Sequence, residues 1–579
     1  MRREGRARGL RRILPIVGWA THYDRQWLRA DSVAGLTVAV MLVPQAMAYA
    51  ALAGMPPVTG LYAAAVPLLV YAALGSSSHL QFGPIALVAL LTASALQPLA
   101  EGETAQYIAL AGALALTVGA MHLLLGLVRA GTVVNLLSQP VISGYVSAAA
   151  IIIGLSQIGD LLGFDTPHTK GSLEAVTLIA SHAGQANAPT AVIGIASVAF
   201  MLLAKRLAPG LPAPLLVVLV STLAAWLLDL PRLGVQILED IPGGLPVPSL
   251  PAVEIDVLGT LLLLALPIVF IGYGESISVA KAVAARSRER LDPDQELIAS
   301  GFANAAAGVF GGFPVSGSFT RTAINFDARA RTQLSSVVAA TTIFLVLLAL
   351  TGPLYHLPRA VLAAIVVVAV IGLVDIKTAR RTWQMSRTDG AVLLVTFSAT
   401  LTLGVELGLA VGVVLNVLLY LLRRTKASVV ELGRVEGTTA YRDVKRYRTV
   451  VDPAVAILRM DAALEFLNAN AVLDRLSGLA AQRRELRAIV LSGAGLDAMD
   501  STGLHALQEI VEELSEAGVD LQLALIRGPV RDALARAGHW EHLRQRCHPD
   551  IHSALDAAGV AEGSLLRTPH PDEVATQVY

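Results

Sequence analysis

Hydrophobic runs longer than any soluble helix fill the chain from Asp31 to Arg424. Between Asp31 and Glu101 no Asp, Glu, Lys or Arg occurs, a stretch far beyond the ~20 residues that one helix needs to cross a bilayer. Pro56-Pro57 and Gly75-Ser76-Ser77-Ser78 divide it into three pieces. Further apolar runs follow at 105–127, 132–158, 188–204 and 213–228, then a Pro-rich acidic connection at 229–256. A second set lies at 257–285, 293–311, 318–329, 333–351, 358–375, 389–404 and 406–422. The pattern predicts seven spans followed by seven more. Past Arg424 the runs shorten to strand length. Ala454–Met460, Ala488–Ser492 and Val519–Ile526 read as strands, and Pro529–Ala537 as a helix. Ser501–Ala517 is a second helix, with Leu504, Leu507, Ile510, Val511 and Leu514 on one face and Asp500 or Ser501 as its cap. This alternation predicts a small α/β domain.

The expected organisation is therefore an N-terminal segment (1–31), a membrane domain (32–424), a linker (425–437), an α/β domain (438–560) and a tail (561–579). Composition agrees: mean hydropathy is +0.62 and only 15% of residues are charged, well below the quarter usual in soluble domains. Zero net charge argues against a nucleic-acid partner. The single cysteine, Cys547, excludes an intrachain disulfide and a cysteine-cluster metal site. Neither HExxH nor G-x-x-x-x-G-K-[ST] occurs, so no enzyme, no cofactor and no ATP-driven step is expected.

Charge orients the spans. With the N-terminus in the cytoplasm, Arg129, Lys205-Arg206, Arg286/Arg288/Arg290, Arg329/Arg331, Lys377/Arg380/Arg381 and Arg423-Arg424 fall on the cytoplasmic side. The connection 229–256, with Asp229, Glu239, Asp240, Glu254 and Asp256 against Arg232, falls outside. Eight arginines among residues 1–31 read as a solvated cytoplasmic tail rather than a dedicated lipid site, membrane lipid being a partner of the spans. Seven is odd, so two sets of seven in tandem have opposite topology, a common transporter plan. A shift of 236 residues matches Leu61 with Leu297, Ala63 with Ala299 and Gly83-Pro84-Ile85 with Phe319-Thr320-Arg321. The third span of each set is short and interrupted, which points to a transport site.

The chemistry concentrates there. Gly312-Phe-Pro-Val-Ser-Gly-Ser-Phe-Thr-Arg-Thr322 reads as broken backbone leading into a helix. Free N–H groups at a helix start, with Thr320 and Arg321, suit an anion. The blander reading is an arginine near the surface or paired with a structural acid. Its counterpart Gln81-Phe-Gly-Pro-Ile-Ala86 carries no cation, and by itself reads as a proline kink. In the first span Pro44 interrupts the helix, and Gln45 and Tyr49 share a face four residues apart. The eighth span carries Gly272-Tyr-Gly-Glu-Ser-Ile-Ser278. Glu275 there either takes up a proton or forms a permanent pair with Arg321 or Lys281. Glu406 reads as interfacial.

Together these runs resemble the SulP anion-permease family, relatives of the solute-carrier anion exchangers. The resemblance rests on Val43-Pro-Gln-Ala-Met-Ala-Tyr-Ala50, Gly54-Met-Pro-Pro-Val-Thr-Gly-Leu-Tyr62, Leu74-Gly-Ser-Ser, Gly83-Pro84 and Pro314-Val-Ser-Gly-Ser-Phe-Thr-Arg-Thr-Ala-Ile-Asn325. It implies an all-α fold of fourteen spans in two inverted repeats, split into core and gate domains, and a homodimer. The implied anion site comprises Gln45, Tyr49, Pro84, Ile85, Ala86, Phe319, Thr320 and Arg321. Glu275 matches the acidic position associated with coupling or site architecture. Family members often carry an aromatic where this chain has Ile85. Ala463-Leu-Glu-Phe-Leu-Asn-Ala469 and Asp500-Ser-Thr-Gly-Leu504 resemble a STAS domain. Thr502 stands where soluble relatives carry a phosphorylated serine, so phosphorylation is not carried over.

The reading is a secondary active transporter of a small inorganic anion, sulfate first, coupled to H+ or Na+. Bicarbonate or dicarboxylate transport, an anion channel, and a membrane sensor with the STAS domain as output are the rivals.

Overall fold

The computed structural model describes residues 14–100, 103–132, 138–164, 172–208, 211–238, 243–349, 351–559 and 566–567. The arginines before Leu14, Glu239, Asp240, the Glu406 side chain and the tail 561–579 apart from residues 566–567 lie outside the described residues. The chain forms two compact units that divide between Asn416 and Val417.

Helices occupy all fourteen predicted spans. The first set is α1 (Leu28–Leu52), α2 (Pro57–Leu74), α3 (Ala86–Leu96), α4 (Thr104–Leu127), α5 (Gln139–Ser156), α6 (Ala188–Leu207) and α7 (Ala213–Leu227). The second is α8 (Ile255–Ser287), α9 (Pro293–Val309), α10 (Phe319–Asp327), α11 (Leu334–Ala349), α12 (Arg359–Ile371), α13 (Arg387–Leu403) and α14 (Val405–Arg424). Among the described residues, eight helical stretches are long and apolar enough to cross a bilayer. The third member of each set is the shortest. α3 has 11 residues and α10 has 9, about 16 and 14 Å of helix, half of a hydrocarbon core of about 30 Å.

Pro44 does not interrupt α1, which runs unbroken from Leu28 to Leu52. A proline removes one intrahelical donor, and packing on α2, α10, α11 and α12 holds the remaining turns in line. Helices Ser172–His182 and Ile376–Met385 also form, in segments that hydropathy assigns to connections.

Packing sorts the spans into two groups. α9 packs on α4 and α2, α11 on α1 and α2, and α8 on α4. In the other group α13 packs on α5, α6 on α12 and α7, and α12 on α5. These are the core and the gate. Glycines set the closest approach in the core. A β-carbon at Gly301 would lie 2.9 Å from the Gly119 carbonyl oxygen, and one at Gly308 would overlap that of Gly112. Gly308→Ala is therefore expected to force α4 and α9 apart, at about 1–3 kcal/mol. A lowered thermal midpoint in detergent is the measurement; an unchanged midpoint would contradict this packing.

The second unit is an α/β fold on a mixed sheet. Its strands are β3 (Val429–Arg434), β4 (Tyr441–Asp443), β5 (Val450–Val451), β6 (Val455–Met460), β7 (Ala488–Ser492), β8 (Asp520–Ala524), β9 (Cys547–His548) and β10 (Leu566–Arg567). Their order is β10-β5-β3-β6-β7-β8-β9, with β4 beside β3. β6 to β9 are parallel and β3 is antiparallel to β6. Residues 425–437 are thus not merely a linker: Val429–Arg434 is a sheet strand, its Leu432 buried against Ile457. Nor is the tail wholly structureless, since Leu566 and Arg567 pair with Val451 and Val450. Helices α15 (Ala469–Gln482), α16 (Ser501–Glu516), α17 (Gly528–Arg536) and α18 (Ile551–Ala557) cover the sheet. Asp500, rather than Ser501, caps α16, accepting from the Gly503 amide at 2.7 Å.

Candidate functional site

The two half-helices are tied together at their starts. Phe82–Gly83 (β1) and Ser316–Gly317 (β2) pair antiparallel, Phe82 with Gly317 and Gly83 with Ser316. Such pairing is available only to extended backbone, which the Gly-Pro and Pro-Val-Ser-Gly runs supply. α3 and α10 therefore begin side by side and run apart. Ile85 is the N-cap of α3 and Ser318 that of α10. A shift of 236 overstates the repeat by three residues: Ala86 corresponds to Phe319, Leu87 to Thr320 and Val88 to Arg321. The helix start, rather than side-chain identity, sets this correspondence.

Each start leaves amides unused. The first intrahelical bond of α3 is from the Ala89 amide to the Ile85 carbonyl, and Ile85 offers no side-chain cap. In α10 the Thr322 amide donates to the Ser318 carbonyl, and the Ser318 hydroxyl accepts from the Arg321 amide at 3.4 Å. The amides of Ala86, Leu87, Val88, Phe319 and Thr320 thus have no helical partner. Both helix ends carry partial positive charge.

Arg321 adds a full charge. Its side chain is 1% exposed and crosses to the other half-helix, where Nη1 donates to the Pro84 carbonyl at 2.8 Å. Its Nε and Nη2 are buried without a hydrogen-bond partner. Three positive elements converge with no counter-charge bonded to them. Helix starts with unpaired amides and a buried cation are chemically suited to an anion.

A second ring of polar groups holds the lead-ins in place. The Asn304 amide brackets Val315, accepting from its N–H at 2.8 Å and donating to its carbonyl at 3.0 Å. The Ser276 hydroxyl accepts from the Gly317 amide at 2.7 Å and bonds Ser316 Oγ at 2.9 Å. Gln81 N–H donates to Thr322 Oγ1, and the Ser318 amide donates to the Gln81 carbonyl. Gln333 donates to the carbonyls of Ser77 and Leu80. Behind the site, fully buried Glu296 accepts from Tyr71 Oη, the Ser76 amide and hydroxyl, and the Ser77 amide. Sequence patterning does not single out Asn304, Gln333 or Glu296. Their signal is an isolated amide or acid within or beside an apolar span, where a polar group must find a partner.

Of the predicted residues, Pro84, Ile85, Ala86, Phe319, Thr320 and Arg321 come together at the paired helix starts. Pro84, Ile85 and Ala86 are buried, whereas Phe319 and Thr320 are exposed. The Thr320 hydroxyl lies 3.3 Å from that of Ser318. Gln45 and Tyr49 are buried on α1, which packs against both half-helices, and Gln45 Oε1 has no partner. α8 packs against β2, α3 and α10, bringing half-buried Glu275 within electrostatic reach of Arg321. Among the described residues Glu275 forms no ion pair with Arg321 or Lys281.

Comparison with known proteins follows the same outline. The sulfate permease family model matches residues 28–396, and the STAS domain model matches residues 446–554. A probable sulfate transporter of Mycobacterium tuberculosis (strain CDC 1551 / Oshkosh) is 36% identical over 528 residues, covering 90% of this chain and 94% of that protein. The chloroplastic sulfate transporter 4.1 of Arabidopsis thaliana is 34% identical over 551 residues, covering 91% of this chain and 80% of that protein. Among solved structures, murine solute carrier 26 family member A9, an anion transporter in the inward-facing state, superposes with a TM-score of 0.88. It shares 24% identity and covers 94% of each chain, a likeness of fold.

Proposed function

Because the chain belongs to the sulfate permease family, we propose that it carries sulfate across the cell membrane as a secondary active transporter. One observation carries the reading: two half-helix starts meet, with unpaired amides beside a buried arginine whose Nε and Nη2 lack partners. A tetrahedral dianion accepts many N–H groups at once, and helix ends supply them without the dehydration cost of several free side chains. The amides coordinate, the exposed Thr320 hydroxyl adds a donor, and Arg321 sets the field. Gln45 and Tyr49 wall the site from α1. Alternating access follows when the core, which holds both half-helices, moves against the gate.

The proposed orientation has both termini in the cytoplasm, and a homodimer is the proposed assembly. For coupling, Glu275 takes up a proton as sulfate binds, so that inward proton flux drives uptake. Glu275→Gln is expected to abolish accumulation driven by a proton gradient while leaving sulfate exchange measurable. Accumulation that is unchanged in this variant at every pH tested would remove the proton assignment, and sodium replacement then tests the rival cation.

The deciding experiment is uptake of labelled sulfate, bicarbonate and dicarboxylates into proteoliposomes under imposed proton or sodium gradients. Saturable, exchange-stimulated sulfate flux is expected. Conductive, unsaturable flux would make the protein a channel, and binding without flux would make it a sensor.

A further inference from the structure

The helix Ile376–Met385, between the end of α12 and the start of α13, is unlike the spans it joins. None of its ten residues is fully buried. Thr378, Ala379 and Thr382 form its half-buried side, packed towards α5 and α13. The opposite side presents Lys377, Arg380 and Arg381 to solvent, flanked by Ile376 at 75%, Trp383 at 48% and Met385 at 78% exposure. Helical spacing puts Ile376, Arg380 and Trp383 along one stripe, with Lys377 and Arg381 along the next.

Lys377, Arg380 and Arg381 form no ion pair among the described residues. The carboxylate nearest in sequence, Asp375, is occupied as the N-cap, accepting from the Thr378 amide at 2.9 Å and its hydroxyl at 2.6 Å. Trp383 lies over Gly390 at the start of α13, so the indole is held in place with much of its surface uncovered. An anchored helix with a basic outer stripe between an aromatic and two long apolar side chains matches the chemistry of one surface in particular. Anionic headgroups meet the cations while the apolar side chains enter the headgroup–acyl boundary.

We propose that Ile376–Met385 is an interfacial helix that binds anionic phospholipid at the membrane face where α12 ends and α13 begins. The proposal rests on the membrane reading above but not on the transported ion. It makes the lipid a partner of the gate, since the helix packs on α5 and α13, both gate members.

The test uses full-length protein in which Trp19, Trp27, Trp226 and Trp540 are replaced by phenylalanine, leaving Trp383. It is reconstituted in phosphatidylcholine vesicles with increasing phosphatidylglycerol, with bromine placed near the headgroup end of the acyl chains. Quenching of Trp383 is expected to grow with phosphatidylglycerol. The half-saturating fraction is expected to rise about fivefold for each of Lys377→Gln, Arg380→Gln and Arg381→Gln. Quenching equal in pure phosphatidylcholine, or indifferent to all three substitutions, overturns the proposal. So does protection of Trp383 from bromolipid together with cross-linking of Met385→Cys between two copies in a Cys547→Ser background, which would make this face a protein contact. Because quenching needs no transport, failure of the sulfate reading and failure of this one are read separately.

Discussion

Replacing Arg321 with alanine is expected to cut the initial rate of sulfate uptake about ten- to a hundredfold, the loss that about 1.5–3 kcal/mol of charge-assisted hydrogen bonding represents. The guanidinium is buried, spends Nη1 on the Pro84 carbonyl, and keeps Nε and Nη2 without a partner beside two helix starts. Alanine removes the charge, withdraws those donors, and leaves a buried carbonyl unpaired. Arg321→Lys separates these effects. It keeps the charge, but a single ammonium does not reproduce the planar fork that reaches Pro84 and faces the site together. An intermediate rate is expected. Uptake is compared with the thermal midpoint and chromatographic profile of each variant. A folded Arg321→Ala protein with wild-type affinity and rate would end the site assignment.

Glu296→Ala is expected to prevent recovery of a folded protein. The carboxylate is fully buried. One oxygen accepts from the Ser76 amide at 2.8 Å, the Ser76 hydroxyl at 2.7 Å and the Ser77 amide at 3.2 Å, and the other from Tyr71 Oη at 2.8 Å. These bonds fasten the turn after α2 to the first turn of α9. Alanine leaves the buried Tyr71 and Ser77 donors unpaired, at about 1–3 kcal/mol each, and frees those of half-buried Ser76. The turn leads directly into Gln81–Ile85, so its loss also loosens the strand pairing on which both helix starts depend. Glu296→Gln is expected to be milder. Its carbonyl still serves Ser76 and Ser77, and the Tyr71 hydroxyl can turn to accept from the new amide. Yield and thermal midpoint in detergent are the readouts; an alanine variant as stable as wild type would contradict this role.

Much of the candidate site was legible because a bilayer makes local chemistry stringent. A Gly-Pro and a Pro-Val-Ser-Gly run each set two helix-disfavouring residue types close together inside apolar sequence, and Thr320 and Arg321 next to such a break are conspicuous. The supporting groups were not legible. Asn304 is one amide in a helix of small residues, and nothing local says that it brackets Val315. Glu296 lies close to a predicted membrane boundary, and nothing local says that Ser76 is placed against it. The break read at Pro44 failed for the converse reason, because neighbouring helices sustain a turn that local propensity disfavours.

The sequence by itself determined the number and order of the spans, the two shortened ones, and the change to an α/β unit. Hydropathy and period act within a single segment, and a backbone in lipid has few alternatives to a helix. Only the tertiary structure decided that Gly83 pairs with Ser316, that Arg321 reaches Pro84, and that the two repeats correspond by their helix caps. Residues 425–437 became partly a strand for the same reason: Val429–Arg434 is extended because β6 offers it a ladder. These are contacts between residues far apart in the chain. Their free energy exists only once both partners are in place, so no local pattern announces them.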